Sequence, residues 1–325
     1  MIHLTLPHLI MIRSIAFILL LAAHSLQAEN LPSFELDEAW KQKVAAEAPR
    51  KPQVEPKKER KVLIFSLATG FKHWCIPHSE AVVQILGETS GAYTCVASTN
   101  IEDFRAERLK DFDAVVLNNS CPDKEKRDIF HDVIIRNIDE TGKQYMSMPM
   151  ADREKLVKEL YQSLVNYVAE GGGLVLLHGG IASFAKSEEF SAIAGGSFAY
   201  HPHQQEVTLT PCCPDHPVTK PFGGKPFIHT DEPYVLGGAY DQLNFNPLLE
   251  MKREGIVDKN KKRSFHKQVR YLAWVKPYKK GRVFFSAPSH NAQSFERPEL
   301  LGFLLAGMQY ALGDLECDDT SRPKR

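Results

Sequence analysis

The sequence predicts an α/β protein, a mainly parallel sheet sandwiched by helices, with added antiparallel strands. Two observations carry this expectation. In the first half, short continuous apolar runs alternate with helical patterns, which is the rhythm of βαβ units. In the second half, QEVTLT, PYVLG, LLEMKR, VRYLAWV and RVFFSA follow one another with fewer helices between them, and read as added or antiparallel strands.

Taken in order, the chain opens with Arg13 ahead of SIAFILLLAAHSL and a small residue, Ala28, suited to cleavage. The apolar stretch is short for a membrane span and reads as a secretory signal over 1–28, with Met11 as an alternative start. Export to the periplasm or medium is therefore expected, with no membrane attachment once the signal is cut. Residues 29–60, rich in Pro, Lys and Glu, read as a linker. KVLIFSLA (61–68) is the first strand, a helix spans about 79–89, and YTCVAS and FDAVVLNNS are the next two strands. Residues 121–150, charged and rich in methionine, read as a surface insertion.

The clearest helix covers 152–170, where Leu156, Leu160, Leu164 and Val168 recur every four residues and Gly171 stops it. It runs into GGGLVLLHGG, a buried strand ending on His178 inside a glycine turn. The glycines there offer positive φ, and the ring is expected exposed at the strand tip with one nitrogen facing the cleft, since few side chains are at hand to satisfy both nitrogens. A last helix, 298–312, aligns Leu301, Leu304, Leu305, Met308 and Leu312 on one stripe. One domain over 61–313 is expected, with a C-terminal tail from 314 to 325.

Formal net charge is +0, which argues against nucleic acid as a partner, because phosphate binding needs a basic excess. Six irregularly spaced cysteines leave buried thiols and a disulfide set equally open. No phosphate-loop or dinucleotide fingerprint occurs, so nucleotide binding is disfavoured.

In parallel sheets ligands bind beyond the carboxyl ends of the strands. That edge collects Phe71 and His73 after the first strand, His178 after the fourth and His290 after the last. Gly195 and Gly196 read as a helix cap before His201, and His216 as structural. HTDEPYVL brings His229, Asp231, Glu232 and Tyr234 close in sequence, and neighbouring carboxylates on a strand face opposite ways, so one of the two enters a given site. Histidine with a carboxylate suits general acid–base chemistry. The same residues are raw material for a divalent metal, although no local signature such as H-E-x-x-H is present. No cofactor is required by this reading. No cysteine stands at the strand-end turn, and Cys75 is the only thiol near that edge.

GFKH, GGGLVLLHGG, GGSFAYHP, HPVT, DEPY and GRVFFSAPSH, in that order, resemble the ThuA-like family associated with trehalose utilisation. The resemblance spans about 61–313. It implies a flavodoxin-like fold related to class I glutamine amidotransferases, a link to carbohydrate metabolism, and His73, His178, His201, Asp231, Glu232, Tyr234 and His290 as motif positions. Amidotransferase relatives carry a cysteine where His178 stands, so glutamine hydrolysis is not expected here. The leading expectation is an exported hydrolase, lyase or isomerase of glycosides or keto-glycosides. Catalysis falls to His178, His73, Asp231, Glu232 and His290, and substrate contact to Phe71, His201, Tyr234 and Trp274. The alternatives are a carbohydrate-binding domain using Trp74, Tyr234 and Trp274, or a scaffold module.

Overall fold

The structure, a computed structural model, describes residues 31–138, 140–258, 271–288 and 290–322. The signal-peptide segment lies outside them. Among the described residues no helix is long and apolar enough to cross a membrane.

The core is one mixed sheet. Its first half contains β1 (Lys61–Phe65), β2 (Thr94–Ser98), β3 (Ala114–Asn118) and β4 (Gly173–Leu177). β5 (Ser197–Tyr200) and β8 (Val235–Gly237) form a separate antiparallel pair. The remaining strands are β6 (Gln205–Pro211), β7 (Phe227–Asp231), β9 (Asn246–Met251), β10 (Tyr271–Tyr278) and β11 (Gly281–Ser286). The nine strands of the main sheet run in the order β2-β1-β3-β4-β11-β10-β9-β6-β7.

The first five are parallel, in flavodoxin-like order, and the last four add on antiparallel. One expectation is corrected here. RVFFSA is not merely an added antiparallel strand: it pairs antiparallel with β10 on one side and parallel with β4 on the other, and so closes the parallel core. Lying in mid-sheet with its apolar residues facing both layers, it has no polar alternation to betray its orientation.

The helices are α1 (Glu38–Glu47), α2 (Ile76–Ser90), α3 (Ala106–Leu109), α4 (Ile129–Ile134), α5 (Met150–Glu170), α6 (Glu188–Ala194) and α7 (Pro298–Ala311). From β1 the chain crosses to β2 in one direction, and from β3 to β4 in the other. Right-handed crossovers therefore set α2 and α5 on opposite faces. α2 packs with α1 and α7, and α5 with α3 and α4. α5 keeps its four-residue repeat buried through Leu156, Leu160, Leu164 and Val168.

Three compositional readings fail, for one physical reason: a few apolar residues inside a polar stretch suffice to dock it. Residues 31–60 are no free linker. α1 buries Trp40 and Val44, and the Gln53 amide N–H donates to Gln309 on α7. The 121–150 segment is no surface insertion, since α4 buries Ile129, Phe130, Val133 and Ile134. The tail begins packed: Asp314 is buried against Arg60, and Leu315 is buried beside it.

Candidate functional site

Four buried side chains meet at the carboxyl ends of the parallel strands: His73, His178, Glu232 and His290. One ligand-type atom from each lies within 4.8 Å of the others. β4 and β11 are neighbours, so their ends place His178 and His290 side by side, while the loop after β1 brings in His73. Glu232 is the first residue beyond β7.

His178 sits in a left-handed backbone conformation, φ 45°, at the start of a 3-10 turn over 178–182. The sequence reading gave positive φ to the following glycines; the histidine takes it instead. The glycines serve close approach. A Cβ on Gly180 would lie 2.0 Å from the Leu117 carbonyl oxygen, and one on Gly179 3.1 Å from the His73 ring.

The hydrogen bonds fix much of the protonation pattern. His178 Nδ1 lies 2.7 Å from the Ala287 carbonyl and must donate to it. In the neutral ring this leaves the Nε2 lone pair facing Glu232 Oε2 at 3.1 Å. His290 Nδ1 is 3.3 Å from both Glu232 Oε1 and His178 Nε2. On its far side, Asn291 donates to the Thr230 carbonyl and to Gln204 Oε1, which turns the Gln204 amide nitrogen toward His290 Nε2 at 2.7 Å. His290 therefore accepts at Nε2 and carries its proton on Nδ1, pointing at Glu232. His73 Nδ1 is buried without a hydrogen-bond partner among the described residues.

Electrostatics follow from this packing. Burial alone would raise the Glu232 carboxyl, but His178, when its Nε2 also carries a proton, and His290 donate to it and hold it far below the usual carboxylate range. Burial, then the neighbouring His178 and His290, push His73 well below an ordinary imidazole, so it stays neutral. Burial opposes the cation of His290 while the Glu232 hydrogen bond and charge favour it more strongly. A proton taken up at Nε2 would displace the Gln204 amide.

The other expected residues divide. His201 stands at the rim, its side chain 35% exposed and its Nε2 3.5 Å from Glu232 Oε1. Phe71 is 60% exposed and meets His73 edge-on, ring centres 4.7 Å apart. Tyr234 is buried against the His178 ring at 4.3 Å. Asp231 does not enter the cluster: it faces His229 at 3.4 Å and accepts the Glu232 amide N–H. Trp274 is corrected outright. It is 0% exposed in the core, stacked on Phe245, with its indole N–H given to the Ala194 carbonyl. Trp74 packs on Phe34 and His78. His216 is structural as expected, bonded to the Asp318 carbonyl and the Val218 amide.

A second correction concerns His178 itself. The strand-end turn was expected to expose the ring with one free nitrogen and too few neighbours to satisfy both. The ring is fully buried, and both nitrogens lie against distant segments, Nδ1 against the Ala287 carbonyl and Nε2 against Glu232. Cys75 is also buried; burial, then the charge of Asp231, push its thiol well above the usual value. Sequence reasoning missed Gln204 and Asn291, since amides carry no periodic or motif signal. A cavity of about 930 Å³ lies at the opposite, amino-terminal end of β1 and β2, bordered by Arg60, Tyr93 and Cys95, away from this cluster.

The profile of the ThuA family, described as trehalose utilisation, matches residues 61–311. A ThuA-like protein from Bacteroides uniformis superposes with TM-score 0.55 at 15% identity, covering 81% of this chain and 93% of that one. Another from Parabacteroides merdae gives TM-score 0.53 at 19% identity, covering 82% and 98%. At these identities the superpositions speak for the α/β fold. A search of curated proteins returns no match.

Proposed function

The chain belongs to the ThuA trehalose-utilisation family, and on that footing we propose that it acts on a sugar or keto-sugar by proton transfer between histidine and carboxylate. One observation carries the reading. A buried carboxylate, Glu232, is shared by His178 and His290 and approached from the rim by the half-exposed His201. A keto group acidifies the neighbouring C–H, so an imidazole–carboxylate pair can take that proton and return it without a redox cofactor. His201 is the proton carrier, because it alone of the four histidines near Glu232 reaches solvent appreciably. The exposed ring of Phe71 offers a flat apolar face at the same rim, suited to the C–H side of a sugar.

Glutamine hydrolysis is not part of this reading. A buried histidine occupies the strand-end turn, and burial pushes up both thiols near the cluster, Cys75 and Cys121. Nor does the binding-only alternative gain support, because Trp274 and Trp74, two of its three aromatic faces, are committed to packing. We also propose export, on the charged-then-apolar start of the sequence.

The test is a screen of glycosides and keto-glycosides for product formation, with wild type beside Glu232→Gln. Turnover that falls about 100-fold or more in a folded variant supports the proposal. Equal turnover in both proteins overturns it.

A further inference from the structure

We propose that His73, His178, Glu232 and His290 bind one divalent first-row transition ion of the Zn²⁺ class. An ion about 2.0–2.2 Å from tetrahedral nitrogen and oxygen ligands sets those ligands roughly 3.3–3.5 Å apart. His178 Nε2 and His290 Nδ1 are 3.3 Å apart, and Glu232 faces them through Oε2 at 3.1 Å and Oε1 at 3.3 Å, close to that spacing. The fourth side chain, His73, lies within 4.8 Å of them all.

The donor chemistry points the same way. Ala287 ties up the His178 proton at Nδ1, so a lone pair and a carboxylate oxygen face each other at 3.1 Å, and a cation between them resolves the opposition. A backbone carbonyl on the far nitrogen is also how metal-ligating histidines are commonly oriented. His73, in contact with both other rings, keeps a buried nitrogen with no hydrogen-bond partner among the described residues. Three imidazoles and one carboxylate suit Zn²⁺, Co²⁺ or Ni²⁺ better than Mg²⁺ or Ca²⁺, which take oxygen ligands. Ligation through His290 Nδ1 moves that ring's proton to Nε2. Gln204 must then present its carbonyl oxygen there, giving up its bond from Asn291, a small loss beside a coordination bond.

The inference deepens the proton-transfer reading and rests on the same site. The ion would hold a hydroxyl or keto oxygen of the sugar, leaving His201, outside the ligand set, to carry the proton.

The experiment uses the full chain, stripped with a chelator and titrated with Zn²⁺ by calorimetry and with Co²⁺ by visible absorption, with no substrate present. Wild type should bind one equivalent, gain thermal stability, and show the bands of a four- or five-coordinate cobalt ion. His73→Asn and Glu232→Gln should each lose about 100-fold or more in affinity, while His201→Asn should bind as wild type does. Should either ligand variant fail to fold, the other decides. Folded wild type that binds neither ion, or ligand variants that bind as tightly as wild type, overturns the metal centre. So does a loss in His201→Asn equal to theirs. Proton transfer is judged separately by turnover, so metal-free protein with full turnover ends this inference alone.

Discussion

His178 Nε2 lies 3.1 Å from Glu232 Oε2 while its Nδ1 proton is given to the Ala287 carbonyl, so one ring joins the end of β4 to the loops after β11 and β7. Removing the ring leaves a buried carbonyl and a buried carboxylate short of a partner. His178→Asn should therefore lose turnover by about 100-fold and also stability by about 1–3 kcal/mol, read from denaturant unfolding. Unchanged stability would mean that Ala287 and Glu232 find other partners.

The two glycines after His178 should respond differently to a single methyl group. Gly180→Ala drives a Cβ into the Leu117 carbonyl, a backbone group of β3 that cannot yield, and should cost about 1–3 kcal/mol or more. Gly179→Ala meets the His73 ring at 3.1 Å and Asn119 Oδ1 at 3.3 Å, both side chains, at distances where a small shift suffices. It should fold nearly as well as wild type yet disturb ligand binding at the cluster. Thermal unfolding and calorimetry separate the two outcomes.

The site was partly legible. The apolar runs and the rule that ligands gather at strand carboxyl ends brought His73 and His178 to one edge, because the direction of β1 and β4 follows from βαβ order, whereas the direction of β11 before His290 is fixed only by its pairing with β4. Which of Asp231 and Glu232 joins them was not legible, since that depends on how the chain turns at the end of β7. Trp274 misled because a tryptophan in an apolar strand is equally at home in a cleft or a core, and only the sheet order places β10 in mid-sheet with both faces covered. The docking of residues 31–60 rests on Trp40 and Val44, too few for any periodicity to show.

That docking makes its own prediction. Trp40 packs edge-on against His78 and tilted against Phe34. Trp40→Ala should cost about 3 kcal/mol or more in unfolding free energy, as loss of a buried aromatic does. A free linker would register nothing.

Lys276 on β10 is buried, with its ammonium near the Ala192 carbonyl in the last turn of α6. Burial lowers it to about 8, from 10.5. Between those values the unfolded chain holds a proton that the folded protein lacks, so this residue's contribution to stability rises as pH rises from about 8 toward 10.5. Below pH 8 its burial cost is at its full value. Relative to Lys276→Met, wild type should gain about 3 kcal/mol across that window. Parallel pH curves for the two proteins would contradict the assignment.

Export is checked by intact mass. Mature protein recovered from an exporting host should begin near Glu29, and retention of residues 1–28 would count against a cleaved signal.

In the proposed reaction Glu232 and His201 move a proton on a keto-sugar, and hydrogen exchange reads that step without waiting for any later bond to break. Wild type, incubated with a keto-glycoside in deuterated water, should wash deuterium into the carbon beside the keto group well above the buffer rate. Folded Glu232→Gln and His201→Asn should each slow that exchange by about 100-fold or more. Wild type that binds the keto-glycoside yet exchanges no faster than buffer would rule out proton transfer at this site.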